Sequence, residues 1–254
     1  MRLLTADESP PWIALNPGAD SPFLLLGDHA SRTVPLGLME LGLEDAELGR
    51  HIGWDIGVAG MGRALAAALN ATFIHQRFSR LVIDCNRDPD HPGAIPGQSD
   101  GTKVPGNADL SAADRQARVE QVARPYHDRI AQELDARAAR GQPTVVVSLH
   151  SFTPSMGGVD RPWRYGVLHM GDSPFSKAML GRLRAEFPDQ LVGDNEPYAM
   201  DGTDFTVPLH AHRRGLDYLE LEVRQDLIVD PAGQQAAADL LARLLPPALS
   251  DTRR

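Results

Sequence analysis

Two short apolar runs, each closed by a histidine, constrain the fold of this chain more than any other feature. "PFLLLGDH" at residues 22–29 and "TVVVSLH" at 144–150 are continuous apolar stretches, not alternating ones. A run of that length, bounded by turn residues, reads as a strand buried on both faces. Strands buried on both faces belong to sheets covered on both sides, and parallel neighbours need helical crossovers.

The remainder of the chain supplies that rhythm. Residues 1–20 read as a Pro- and Gly-punctuated leader. From Asp45 to Asn70, apolar residues at Leu48, Ile52, Ile56, Met61, Leu65 and Leu69 fall near helical spacing, and Asn70 suits a C-terminal cap. "ATFIHQ" and "RLVID" follow as two short β-rich runs. Asn86 to Asn107 is a long loop dense in Pro, Gly and Asp, and a loop of that length suggests function. Ser111 opens a charged helix that ends near Gly141. "RYGVLHM" and "LDYLELEV" read as strands, with helices at Ser176 to Phe187 and Ala232 to Leu245. The expectation is a single α/β domain over residues 1–254. It has three layers: a mostly parallel or mixed central sheet with helices on both faces.

Charge and cysteine content narrow the function. A formal net charge of -9 argues against nucleic acid as a partner, because phosphate recognition needs a basic face. A small-molecule anionic substrate fits better, provided that an acidic chain keeps a local cationic pocket. One cysteine allows no intrachain disulfide, which makes the cytoplasm the default location. No stretch approaches the roughly 20 apolar residues of a spanning helix, so no membrane contact is expected. Nothing in the sequence specifies an oligomeric state.

In α/β sheets, ligands bind beyond the carboxyl ends of the strands, so polar residues that terminate apolar runs are the first candidates. His29 and His150 end two runs of the same kind, and imidazole is the commonest nitrogen ligand of zinc. A third, anionic ligand comes from Asp55 in "HIGWDIG" by preference, or from Asp28. Glu220, Glu222 and Arg224 share one face of a strand by period-two alternation. A carboxylate there can move a proton beside a metal, so Glu222 is the candidate general base. Asn86 and Arg87 in "DCNRDP" suit recognition of a substrate carboxylate, with Arg80 and Arg224 as further candidates. Arg161, Arg164, Arg213 and Arg214 also fall near the expected rim. His210 and His212 diverge if Thr203 to Arg214 is a helix, which argues against a second metal site. Each of these residues also has an ordinary structural role open to it: a hydrogen-bonded strand-end histidine, a Glu-Arg strand pair, or a solvated arginine.

"GDHASRTVP", "HIGWDIG", "SRLVIDCNRDP", "SLHSFTP", "GDNEPY" and "HRRGLDYLELEVRQDLI", in that order, resemble the N-formylglutamate amidohydrolase family from about Phe23 onward. The resemblance implies a zinc-exopeptidase-like α/β fold, related to the carboxypeptidase and aspartoacylase groups. It implies zinc-dependent cleavage of a linear amide, N-formyl-L-glutamate plus water giving formate and glutamate. It also implies His29 and His150 as metal ligands, Glu222 as base, and Asn86 with Arg87 as the carboxylate clamp. Two positions depart from the related patterns. Arg32 stands where carboxypeptidase-like enzymes place a ligand glutamate, and His-Ala-Ser replaces the His-Ser-Gly of family members linked to histidine breakdown. Alternative readings are a zinc amidase or carboxypeptidase acting on a peptide or cell-wall amide, and a non-catalytic protein that binds an acidic metabolite.

Overall fold

The computed structural model of the chain describes residues 2–171 and 173–253, so the expected limits of the domain, residues 1 and 254, lie outside it. Seven strands form the central sheet: β1 (Trp12–Leu15), β2 (Phe23–Gly27), β3 (Thr72–Gln76), β4 (Val145–Phe152), β5 (Tyr165–Leu168), β6 (Val192–Asp194) and β7 (Asp217–Arg224). Their order is β1-β3-β2-β4-β7-β5-β6. β1 runs antiparallel to β3, and β5 antiparallel to β7. The other pairs are parallel. The sheet is therefore mixed, with a parallel centre. The segment read as a leader supplies the edge strand β1.

The helices that cover the sheet include α1 (Val58–Leu69), α2 (Arg124–Ala139), α3 (Pro174–Glu186), α4 (Thr206–His210) and α5 (Pro231–Asp251). Alternation along the strands builds two cores. Leu25, Phe73, Val147, Leu149, Leu219 and Leu221 pack with α1, α3 and α5 on one face. Leu24, Leu26, Ile74, Val146 and Tyr218 pack with α2 and α4 on the other. The opposing layers are the reason β2 and β4 are apolar on both sides. Among the described residues, no helix is long and apolar enough to cross a membrane.

Two local expectations are corrected. The periodic stretch from Asp45 to Asn70 is not one helix: a single turn, Asp45–Leu48, is followed by a connected series of turns before α1 begins. Gly57 breaks the helix with φ +86°, in the left-handed region that favours glycine. "RLVID" is buried but is not a strand. Its backbone carbonyls find side chains instead of a ladder, Leu81 accepting from Asn107 Nδ2 at 2.8 Å and Val82 from Arg118 Nη1 at 3.0 Å. The helix expected from Ser111 does start there, with Ser111 Oγ accepting from the Asp114 amide. A π-helical segment, Val119–Ala123, joins its first part to α2.

Candidate active site

The sheet delivers its polar residues to one carboxyl-terminal edge. His29 follows β2, and His150 lies on the adjacent β4. On β7, Glu222 stands in register with His150, and Glu220 with Ser148. Asp55 arrives from the turns before α1, and two hydrogen bonds fix it. Its amide donates to the His29 carbonyl at 2.8 Å, while Ser79 Oγ donates to the Gly53 carbonyl at 2.6 Å.

His29, Asp55 and His150 are buried, and each offers a ligand atom within 4.8 Å of the others. Asp55 Oδ2 stands 2.9 Å from His150 Nδ1 and 3.4 Å from His29 Nδ1. The outer nitrogen of each ring is held by other groups. His29 Nε2 meets Asp84 Oδ1 at 2.7 Å. His150 Nε2 lies 3.1 Å from Ser148 Oγ and 3.5 Å from Asp28 Oδ2. Asp28 is in turn anchored by the hydroxyls of Tyr126 at 2.8 Å and Thr206 at 3.0 Å. Of the two carboxylates open at the sequence level, Asp55 lies between the inner nitrogens and Asp28 lies behind His150. His29 Nδ1 is buried and has no hydrogen-bond partner. Such an orphan is costly in a folded interior and fits a metal-ligand position.

Electrostatics reinforce this arrangement. Burial opposes protonation of His150, yet Asp28 and Asp55 outweigh it and raise the ring well above the usual imidazole range. His29 is raised as well, with burial and Arg80 opposed by Asp84 and Asp55. Burial works against ionisation of Asp55 and Asp84. His29 above all holds Asp55 below the ordinary carboxylate range, and Arg80 does the same for Asp84. Arg80 spans both acids, at 3.3 Å from Asp55 Oδ1 and 2.6 Å from Asp84 Oδ2.

These groups line a cavity of about 830 Å³. Glu220 and Glu222 face it, and in each an Oε2 atom is buried without a partner. Burial is the main cause that raises Glu222 to about 7 and Glu220 to about 8. Arg87 also lines the cavity, and its Nη1 is a buried donor with no acceptor.

The family described as N-formylglutamate amidohydrolase matches residues 21–229, most of the sheet and the whole of this site. The chain belongs to that family. Among solved structures, gene product Atu2144 from Agrobacterium tumefaciens is similar over 100% of both chains, with 40% sequence identity and a TM-score of 0.94. An N-formylglutamate amidohydrolase from Ralstonia eutropha JMP134 shares the fold at 19% identity, with a TM-score of 0.71 over 96% of this chain and 98% of that one. No curated protein matches the chain significantly.

Within this member of the N-formylglutamate amidohydrolase family, the residues expected to clamp a carboxylate separate. Arg87 has a free donor, and Arg80 faces the cavity but is committed to Asp55 and Asp84. Asn86 instead braces the start of α4, where its Oδ1 accepts from the Phe205 and Thr206 amides at 3.0 and 2.9 Å and its Nδ2 donates to Asp204. Arg224 is not among the residues lining the cavity, because its guanidinium pairs with Asp226 and the carbonyls of Arg161 and Pro162. Arg32, at the departed position, pairs at the surface with Asp45. Arg161 sits 4.8 Å over the Tyr198 ring and donates to its hydroxyl, and Arg213 borders a neighbouring pocket. Arg164 stacks on Phe187 and Arg214 pairs with Asp135, and neither lines the cavity. His210 stacks on His127 while His212 lies in the next turn, so the two diverge as their helical reading implies. Asp84, the acid that closes "RLVID" ahead of Asn86 and Arg87, is a polar run-end residue of the kind expected at the site, and the fold makes it the partner of His29. The sequence gives no comparable run-end signal for Tyr198 and Asp204, which reach the cavity from loops distant in sequence.

Proposed function

We propose that this chain is a metal-dependent amidohydrolase that cleaves the amide bond of an N-acyl amino acid. Its reference reaction is conversion of N-formyl-L-glutamate and water to formate and glutamate. The observation that carries this reading is the convergence of His29 Nδ1, Asp55 Oδ2 and His150 Nδ1, with His29 Nδ1 facing Asp55 without a hydrogen bond, on a cavity that Glu222 shares. Two imidazole nitrogens and one carboxylate oxygen form a zinc donor set that leaves a coordination position for a reactant. When bound there, the metal supplies Lewis-acid polarisation and acidifies water.

The chain's own groups do the rest. Glu222 takes a proton from the attacking water and returns it to the leaving amine nitrogen. An acid raised to about 7 by burial is poised for both transfers at neutral pH. Asp84 and the Ser148-Asp28 pair hold the two imidazoles at their outer nitrogens, which aims both Nδ1 atoms inward. Arg87 pairs with a substrate carboxylate through its free donor.

Elemental analysis of the purified protein, combined with formate release from N-formyl-L-glutamate, tests the reading. Glu222→Gln keeps the metal content and loses turnover by about 10²- to 10⁴-fold, the usual contribution of a positioned acid-base group. A Glu222→Gln enzyme as active as the wild type overturns the assignment of the base, and a protein that binds no divalent metal overturns the mechanism.

A further inference from the structure

The stretch "GDNEPY" at residues 193–198 has no part in the mechanism above, yet the fold builds it with care. β6 ends at Asp194, and Asn195 turns the chain back with φ +52°. Its side chain then clamps the backbone just beyond β5: Oδ1 accepts from the His169 amide at 2.8 Å, and Nδ2 donates to the His169 carbonyl at 3.0 Å. The Glu196 carbonyl lies against the sheet in space that two glycines leave open. A Cβ at Gly166 or Gly193 would stand 2.1 or 2.5 Å from its oxygen. The chain is thus pinned just ahead of Tyr198, whose side chain lines the cavity.

Arg161 does not line the cavity but touches three side chains that do. Its Nη1 donates to Tyr198 Oη at 2.9 Å and to Thr153 Oγ1 at 3.3 Å, and its Nη2 donates to Met156 Sδ at 3.1 Å. All three acceptors are neutral. Arg80, by contrast, spends Nε, Nη1 and Nη2 on the carboxylates of Asp84 and Asp55. Tyr198 Oη accepts from Arg161, and its own proton has no acceptor among the described residues. An O–H group that accepts from a guanidinium is polarised into a stronger donor. Partial burial, opposed by the Arg161 hydrogen bond, raises the phenol above its ordinary value, so the proton is present at neutral pH. The acid that acts on this phenol is Glu222, and the cations are Arg161 and Arg80. Tyr198 therefore belongs to the reacting end of the cavity.

We propose that Tyr198 is a catalytic residue, whose hydroxyl donates a hydrogen bond to the oxygen of the scissile carbonyl as negative charge develops there. Arg161 is the positioning residue that holds and polarises this hydroxyl. The assignment rests on the hydrolase reading above. As water adds to the carbonyl carbon, the π pair moves onto the oxygen that Tyr198 faces, and the water proton passes to Glu222. When the C=O bond re-forms, the C–N bond breaks and the nitrogen takes that proton. Tyr198 keeps its own proton throughout, and its bond to the oxygen is strongest when the charge is greatest.

Kinetics and binding with N-formyl-L-glutamate and zinc-loaded enzyme test the assignment. Tyr198→Phe lowers kcat by about 10²-fold and leaves KM within about threefold, as loss of one donor to a developing oxyanion does. The ring is retained, so melting stays within about 2 °C of wild type. Calorimetric binding to Glu222→Gln and to the double variant Glu222→Gln/Tyr198→Phe gives Kd values within about threefold, because the bond matters only as the charge forms. Arg161→Met lowers kcat by at least about tenfold when Tyr198 is present and by less than about threefold in Tyr198→Phe, because Arg161 acts through that hydroxyl. A Tyr198→Phe loss in kcat below about tenfold overturns the proposal. A rise in Kd that accounts for the whole loss in kcat/KM also overturns it, since Tyr198 would then be a ground-state contact. Independent costs of the two substitutions overturn the role of Arg161. A wild-type enzyme that binds the compound without cleaving it overturns the hydrolase reading and this assignment together, whereas turnover that survives intact in Tyr198→Phe overturns this assignment alone.

Discussion

Replacing Asp84 by Asn tests whether the carboxylates behind the histidines are part of the proposed metal site. The side chain keeps its size, and an amide oxygen can still accept from His29 Nε2 across the 2.7 Å contact. What is lost is the negative charge, which orients the ring, raises its basicity and ties Arg80 through contacts at 2.6 and 3.2 Å. Losing an outer partner of a metal-bound histidine reduces affinity by about 10- to 100-fold, or roughly 1.4 to 2.7 kcal/mol. Zinc affinity follows from competition with a chromophoric chelator. The zinc-induced increment in melting free energy must fall by the same amount, because that increment depends on the ratio of free metal to Kd. Melting of the chelator-treated variant separates this effect from any general loss of stability when Arg80 loses a partner. A variant that melts like wild type without metal and binds zinc as tightly refutes the reasoning.

Three further outcomes follow from the same geometry. Arg87→Ala raises KM for N-acyl amino acids by about 10- to 100-fold, with kcat little changed and melting within about 2 °C of wild type, because its buried donor supports no contact in the folded chain. In metal-free protein, Glu222 near 7 and Glu220 near 8 hold protons that the unfolded chain has already released, and the raised His29 and His150 act in the same direction. His51, His75, His127 and His210, lowered by burial, act oppositely, but only below the ordinary imidazole value. Stability therefore falls as pH rises from about 7 to 8.5, and chelator-treated protein melts at least about 2 °C lower at pH 8.5 than at 7; a higher melting point at 8.5 contradicts these pKa directions. Gly57→Ala places a Cβ 2.1 Å from the Ile228 carbonyl oxygen at a residue with φ +86°, so chemical denaturation should show a loss of about 1–3 kcal/mol together with weaker zinc binding.

The parts of the fold that could be read in the sequence are those in which local pattern and tertiary environment agree. β2 and β4 are apolar on both faces because helices cover both faces of the sheet, and the residues that end them reach the ligand-binding edge for the same reason. The "LELEV" alternation is legible because one set of side chains enters a core and the other lines a cavity. "RLVID" misleads because burial of Leu81, Val82 and Ile83 is satisfied without a ladder, their loop being pinned by Asn107 and Arg118 from later in the chain. Asn86 lines the cavity, as an amide beside an arginine suggests, but its second role is not legible: its Oδ1 accepts from the backbone amides of residues 205 and 206, far along the chain.

Asp55 shows where pattern and placement part. Ile52 and Ile56 continue the helical spacing, so the sequence sets Asp55 on a helix face, from which its carboxylate would have to reach back toward the sheet. A helix there would direct the Asp55 amide to the carbonyl four residues earlier. In the fold that amide instead binds the carbonyl of His29, the residue whose ring the Asp55 side chain faces. One backbone hydrogen bond thus sets the spacing between two candidate ligands, and it is available only because the chain leaves helical geometry between Leu48 and Val58. The close approach of Gly53 to the Leu48 carbonyl and the left-handed Gly57 make that departure possible. The two glycines of "GWDIG" therefore belong to the candidate metal site as much as the aspartate between them, although neither can contribute a side-chain ligand atom.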